Sequence, residues 1–220
     1  MGYKTAGVIA GLVIVALGGL FVMSRGGGES VSVTTTTNNS NAQSDQSMDT
    51  ASAENPHIVF KTNKGDIELE LFKDRMPITT GNFLKLAGEG FYNGTKFHRV
   101  IEGFMVQGGD PNSKGDDVSI YGTGGPGYTI EDEFIEGLSN VRGTISMANT
   151  GQKNSGGSQF FINLVDNTGL DFDKPPFSSS HPVFGKVVSG MEVVDAIAQV
   201  ATNERDLPMD PVIISEIIVK

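Results

Sequence analysis

The chain has 220 residues, 38% of them hydrophobic and 8% aromatic, enough for one sizeable domain with segments to spare. Its 16 basic and 26 acidic residues leave a formal charge of −10 with no basic run, which argues against a nucleic-acid partner. Cysteine is absent, which excludes disulfides, cysteine nucleophiles and thiolate metal sites.

From Ala6 to Met23 every residue is apolar or glycine, with Lys4 before the run and Arg25 after it. As a helix rising 1.5 Å per residue the run reaches roughly 27 Å, near the thickness of bilayer hydrocarbon. Residues 1–25 therefore read as a membrane-spanning anchor. A cleaved signal peptide is the alternative, but Phe21-Val22-Met23-Ser24-Arg25 offers no small-x-small cleavage site. The amino terminus and Lys4 slightly outweigh Arg25, so the expected location is the cell membrane with the following domain on its extracytoplasmic side. Residues 26–55 are rich in Gly, Thr, Asn, Ser and Gln, a composition that buries too little apolar surface to fold; they read as a flexible linker.

The folded domain is expected over residues 56–220. Ile58-Val59-Phe60, an Asn63-Lys64-Gly65-Asp66 turn and the alternating Ile67-Glu68-Leu69-Glu70-Leu71 predict a β-hairpin. Pro77 opens a helix whose Thr79, Phe83, Leu86 and Ala87 share a face, and Gly88 and Gly90 end it. Phe97–Ile101 and Phe104–Gly108 form two short β-like runs hinged at Gly103. The glycine-rich stretch from Gly108 to Gly127 is too irregular for regular elements. Further β-like runs follow at 143–148, 158–163 and 182–188, then a second helix near 191–198 and a closing strand at 212–219. Many short strands, two helices and 29 glycines predict a mainly β fold, a closed or nearly closed barrel with helices over its ends.

Phe97-His98-Arg99-Val100-Ile101, Gly103-Phe104-Met105-Val106-Gln107-Gly108-Gly109-Asp110, Met147-Ala148-Asn149, Gly157-Ser158-Gln159-Phe160-Phe161-Ile162 and Val183-Phe184-Gly185-Lys186-Val187 together resemble the cyclophilin-type peptidyl-prolyl isomerases. The resemblance runs from about His57 to Lys220, with several independent motifs in the family's order. It implies an eight-stranded antiparallel barrel capped by two helices, with a shallow groove on the outer face that binds an Xaa-Pro segment and isomerises it in assistance of protein folding. It implies proline-containing polypeptides as substrates; no cofactor is expected, and the domain is expected to be a monomer.

The residues make chemical sense of that activity. Isomerising Xaa-Pro means twisting a partial double bond, a barrier of about 18–20 kcal/mol, and no covalent bond need be made or broken. A donor aimed at the prolyl nitrogen, whose lone pair is freed as the amide twists, stabilises the transition state. Arg99, permanently charged with a rigid fork of donors, is the candidate for that role. Alternation places Met105 with Gln107, and Gln159 with Phe161, each pair joining an apolar group to an amide as a proline-binding groove requires. Val106, Phe160 and Ile162 then point inward and fill the barrel, against a reading of the chain as a lipocalin-like container. The resemblance adds Phe104, Leu170 and His181 to the pocket wall, and Ala148 and Asn149 as residues whose backbone pairs with an extended substrate.

Other residues carry less. A lone arginine on a strand is commonly just a solvated surface group, and the motif around Arg99 is what raises it above that. His98 alternates away from Arg99 and reads as a structural histidine. The three histidines have no metal-ligand spacing, and Asp166, Asp171 and Asp173 lack the glycine and terminal glutamate of a calcium loop, so no metal is expected. Gly169 stands where many family members carry an aromatic ring beside the pocket, with Phe172 and Phe177 as candidates to replace it. That departure keeps a second reading open, a binding module for proline-containing segments that does not catalyse.

Overall fold

The computed structural model describes residues 55–220 except 176 and 178. The apolar run and nearly all of the linker lie outside these residues; among the described residues no helix is long and apolar enough to cross a membrane.

Eight strands form one antiparallel sheet: β1 (His57–Thr62), β2 (Gly65–Leu71), β3 (Arg99–Ile101), β4 (Met105–Gly108), β5 (Thr144–Met147), β6 (Phe160–Asn163), β7 (Val183–Ser189) and β8 (Ile214–Val219). Their order across the sheet is β3-β4-β6-β5-β7-β2-β1-β8. The sheet is curled, and its edge strands β3 and β8 share no regular ladder. The segments entering them meet instead, through an isolated Lys96–Ile213 bridge and backbone hydrogen bonds such as Phe97 N to Val212 O at 2.9 Å. The expected closed barrel is thus realised as a strongly curled sheet stitched at one corner, because β3 is only three residues long and ends at the Gly103 turn before a ladder can develop.

The expected hairpin is present, with Ile67, Leu69 and Leu71 buried and Glu68 and Glu70 on the other face, as period two demands. Helix α1 (Pro77–Gly88) has Pro at its first turn and buries Thr79, Thr80, Phe83, Leu86 and Ala87; Gly90 follows at φ +68°, a conformation in which glycine is favoured. Helix α2 (Met191–Ala198) buries Val194, Ile197 and Ala198.

The interior is filled by aromatic rings. Phe160 lies 5.3 Å from Phe60, 5.7 Å from Phe83 and 6.2 Å from Phe97, centroid to centroid, and Tyr92 stacks on Phe83 at 4.8 Å. Val106, Phe160 and Ile162 all belong to this core, fully buried. Barrel space that a small ligand would need is taken by these side chains, so the container reading fails.

Candidate active site

The site rests on strand register. Arg99 in β3 faces Gln107 in β4, Gln107 faces Phe161 in β6, and Phe161 faces Ser146 in β5. Opposed residues of an antiparallel sheet share a face, so a guanidinium, an amide and an aromatic ring stand in one row across three adjacent strands. The neighbouring row, Val100–Val106–Ile162–Ile145, points the other way into the core, where all four side chains are buried. One backbone periodicity thus builds both the core and the site.

Above that outer row lies a groove of about 480 Å³, and Arg99, Phe104, Met105, Gln107, Ala148, Asn149, Phe161, Leu170 and His181 all line it. Of the residues expected from sequence only Gln159 stands apart. It lies just before β6 and lines an adjoining depression that shares Gln107, Ala148 and Asn149 with the groove. Its carboxamide acts as a clamp: Oε1 accepts from Gln107 Nε2 at 3.0 Å, while Nε2 donates to the carbonyls of Gly122 and Gly124, both at 2.9 Å. Gln159 therefore fixes Gln107 and ties the glycine-rich loop to the sheet. Close packing explains the glycine at 124, since a Cβ there would collide with the carboxylate of buried Asp110.

The floor and far wall are apolar. Met105 and Phe161 are buried, at 2% and 4% exposure, with the rest of their surface spent on the groove lining. His181 meets Phe161 edge-on, at 5.2 Å between centroids, and its Nδ1 lies 3.1 Å from the Met147 carbonyl. A carbonyl only accepts, so Nδ1 carries the proton and Nε2 is the unprotonated nitrogen of a neutral ring. Burial lowers the His181 pKa from its ordinary value, which keeps that ring neutral at pH 7.

Phe104 sits half-buried on the turn that Gly103 makes at φ +70°. Its carbonyl accepts from Leu164 N at 3.0 Å and Asn167 Nδ2 at 2.9 Å. The N–H of Ala148 is committed to the Gln159 carbonyl at 2.9 Å. The expectation that its backbone pairs with an extended substrate therefore falls on the Ala148 carbonyl. Asn149 is braced by its side chain, donating to Ser180 O at 2.7 Å and accepting from Gly151 N at 2.9 Å.

His98 departs from the sequence reading. It precedes β3, so strand alternation does not govern it, and it lines the groove with Arg99 rather than facing away. It is 5% exposed, and among the described residues neither ring nitrogen has a hydrogen-bond partner. Burial lowers its pKa, against the opposing pull of Asp110. Neither Phe172 nor Phe177 replaces the ring missing at Gly169. Phe172 stacks on Phe134 at 5.3 Å, and Phe177, 64% exposed, lines a separate depression.

Sequence reasoning missed the polar support behind the far wall. The buried Asp171 carboxylate accepts from Ser139 Oγ at 2.6 Å, Asn140 N at 2.7 Å, Asn140 Nδ2 at 2.9 Å and Lys174 Nζ at 2.7 Å. Asn140 passes the network on, donating to His181 O at 3.2 Å and accepting from Ser146 Oγ at 2.7 Å. Asp171 is thus a structural anchor adjoining Leu170. It also missed Tyr121, Gly122, Arg205 and Leu207, which line the groove from distant loops. No local pattern marks these residues, since only the fold brings their loops to the groove.

Fold and groove define an antiparallel β protein carrying an amphipathic cleft on the outer face of its sheet, with a guanidinium at one side and an aromatic seat at its floor. The family model described as cyclophilin type peptidyl-prolyl cis-trans isomerase/CLD matches residues 57–219, and the chain belongs to that family. It is 45% identical over 168 residues to peptidyl-prolyl cis-trans isomerase A of Dickeya dadantii, covering 74% of this chain and 84% of that protein. Against peptidyl-prolyl cis-trans isomerase B of Escherichia coli it is 44% identical over 169 residues, covering 74% and 98%. Among solved structures, a cyclophilin type peptidyl-prolyl cis-trans isomerase of Cryptosporidium parvum superimposes with a TM-score of 0.66 at 32% identity, covering 76% of this chain and 98% of that one. A crystal structure of that protein in the presence of the dipeptide ala-pro gives a TM-score of 0.65 at 32% identity, covering 74% and 98%.

Proposed function

We propose that the groove catalyses cis-trans isomerisation of Xaa-Pro bonds in polypeptides, and so assists their folding. The observation that carries this reading is the row Arg99–Gln107–Phe161, which sets a charged donor on β3 and an aromatic seat on β6 on one sheet face, with β4 between them. The proline ring sits on Phe161 and Met105, walled by Phe104, Leu170 and His181. Ala148 and Asn149 hold the chain preceding it, and Gln107, fixed by Gln159, positions the flanking carbonyl. Arg99 donates toward the prolyl nitrogen as the amide loses its resonance, a bond that exists only in the twisted state and therefore lowers the barrier. Groove chemistry of this kind calls for no cofactor. The ala-pro dipeptide in whose presence the Cryptosporidium relative was crystallised contains an Xaa-Pro bond of the same class.

Arg99→Lys and Arg99→Ala test the assignment in a protease-free isomerisation assay on a proline peptide. Losing a donor made only in the transition state costs about 3 kcal/mol, a turnover loss of order a hundredfold, with KM little changed. Phe161→Ala is expected to raise KM, because the seat is used in ground and transition states alike. A protein that binds proline peptides but never accelerates their isomerisation would instead be the non-catalytic binding module, a reading that the exposed Gly169 favours and the Arg99 row opposes.

The apolar run 6–23 and the polar composition of 26–55 support a membrane tether for residues 56–220, and the N-terminal amine with Lys4 against Arg25 favours the extracytoplasmic side; we further propose that the tethered domain works as a monomer. Membrane fractionation of the full chain, followed by N-terminal sequencing, separates this from a cleaved signal: a soluble product beginning near Gly26 would rule the tether out.

A further inference from the structure

Arg99 stands on an edge strand, where a guanidinium on a long flexible stem has many rotamers and nothing on its outer side to select one. The loop 203–207 supplies that missing side. Its own folding is specific: Asn203 Oδ1 accepts from Arg205 N at 2.8 Å and Leu207 N at 3.2 Å, and Asn203 O accepts from Asp206 N at 3.0 Å. These bonds wind the loop into a tight turn that puts Asp206 at φ +60°, a left-handed conformation uncommon for residues other than glycine and best tolerated by Asn and Asp. The turn is then clamped to the free edge of β3, where Val100 N donates to Asp206 O at 2.8 Å. The Asp206 carboxylate arrives with its Oδ2 3.6 Å from Arg99 Nε.

Three features make this more than a casual surface pair. The carboxylate is delivered by a backbone bond to the residue next to Arg99, so its position does not depend on a long side chain of its own. It approaches Nε, and among the described residues the two terminal nitrogens make no hydrogen bond, so they remain available to a ligand. Among the described residues it is also the one ionic partner of Arg99, and Arg99 the one ionic partner of Asp206. We infer that Asp206 is a positioning residue for Arg99, restraining the guanidinium so that its terminal donors face the groove before substrate arrives. The inference rests on the assignment of Arg99 as the transition-state donor.

The test uses the full chain in the same isomerisation assay. Asp206→Asn keeps a residue that tolerates the left-handed conformation and leaves the Val100 backbone bond in place, so it removes the charge alone. Exposed ion pairs carry modest energies, which correspond to roughly two- to fivefold in rate, and the loss should fall on kcat with KM unchanged. Asp206→Gly, which keeps the backbone and removes the whole side chain, should lose as much. Asp206→Glu should recover part of the rate. In an Arg99→Lys background Asp206→Asn should have no further effect, the signature of two residues acting as one unit. Equal or faster turnover in Asp206→Asn overturns the inference, as does a loss that adds in full to that of Arg99→Lys or appears wholly in KM. If Arg99→Lys itself turns over normally, the assignment of Arg99 has failed and this inference falls with it; if Arg99→Lys is slow and Asp206→Asn is not, the inference alone fails.

Discussion

Asp171 offers a direct test of how the groove's far wall is held. Its carboxylate is 1% exposed and accepts four hydrogen bonds from Ser139, Asn140 and Lys174. Asp171→Ala leaves the buried Asn140 N–H without a partner and strips one of two from its amide, which retains His181 O. Each orphaned buried donor costs about 1–3 kcal/mol. Ser139 and Lys174 are only part-buried and can turn to water, and the desolvation cost of the charge is recovered, so the net loss is about 3 kcal/mol. Asp171→Asn should lose less. Burial works to raise the Asp171 pKa, but the hydrogen bonds from Lys174, Ser139 and Asn140 outweigh it and hold the carboxyl below the usual range. A carboxyl depressed in the folded state stabilises the fold above its unfolded pKa of about 3.9, and that contribution is lost as pH falls through the folded value. Denaturant unfolding of wild type and Asp171→Asn at neutral pH and across the acid range measures both effects. The stability gap should be widest near neutrality and close progressively below about pH 4. Because Asn140 donates to His181 O, a raised KM for a proline peptide should accompany the loss in stability. Equal stabilities at neutral pH, or a gap that does not narrow with acid, would show that the network does not hold the wall.

Two further outcomes follow from the site. Burial lowers the pKa of both groove histidines, His98 and His181, so both are neutral at pH 7, and kcat/KM should be flat from about pH 7 to 8.5. A titration in that window removed by His181→Gln would contradict the neutral ring. Gly169→Trp should restore an aromatic wall beside Leu170 and tighten cyclosporin, the cyclic peptide that blocks many family members, by roughly thirtyfold in calorimetry. Unchanged affinity would mean that position 169 does not face that ligand.

What the sequence by itself determined is local. Period two in Ile67–Leu71 set which face of β2 is buried, Pro77 and Gly90 bracketed α1, and the run Phe97–Asp110 put Arg99, Met105 and Gln107 within one hairpin. These readings succeeded because sterics and side-chain alternation act between near neighbours, and because the motifs around Arg99 and Phe161 are dense. The tertiary structure decided everything that depends on which distant segments touch. The register Arg99–Gln107–Phe161 is set by pairing β4 between β3 and β6, which no single strand encodes. His98 turned toward the groove because it lies outside the strand whose alternation was applied to it. Asp171, read only against a calcium loop, became a buried anchor through contacts with Ser139 and Asn140. Asp206 has no mark in its own neighbourhood that ties it to Arg99; a backbone hydrogen bond at a sheet edge joins them, and such bonds form only once the sheet has curled and the chain has returned to it.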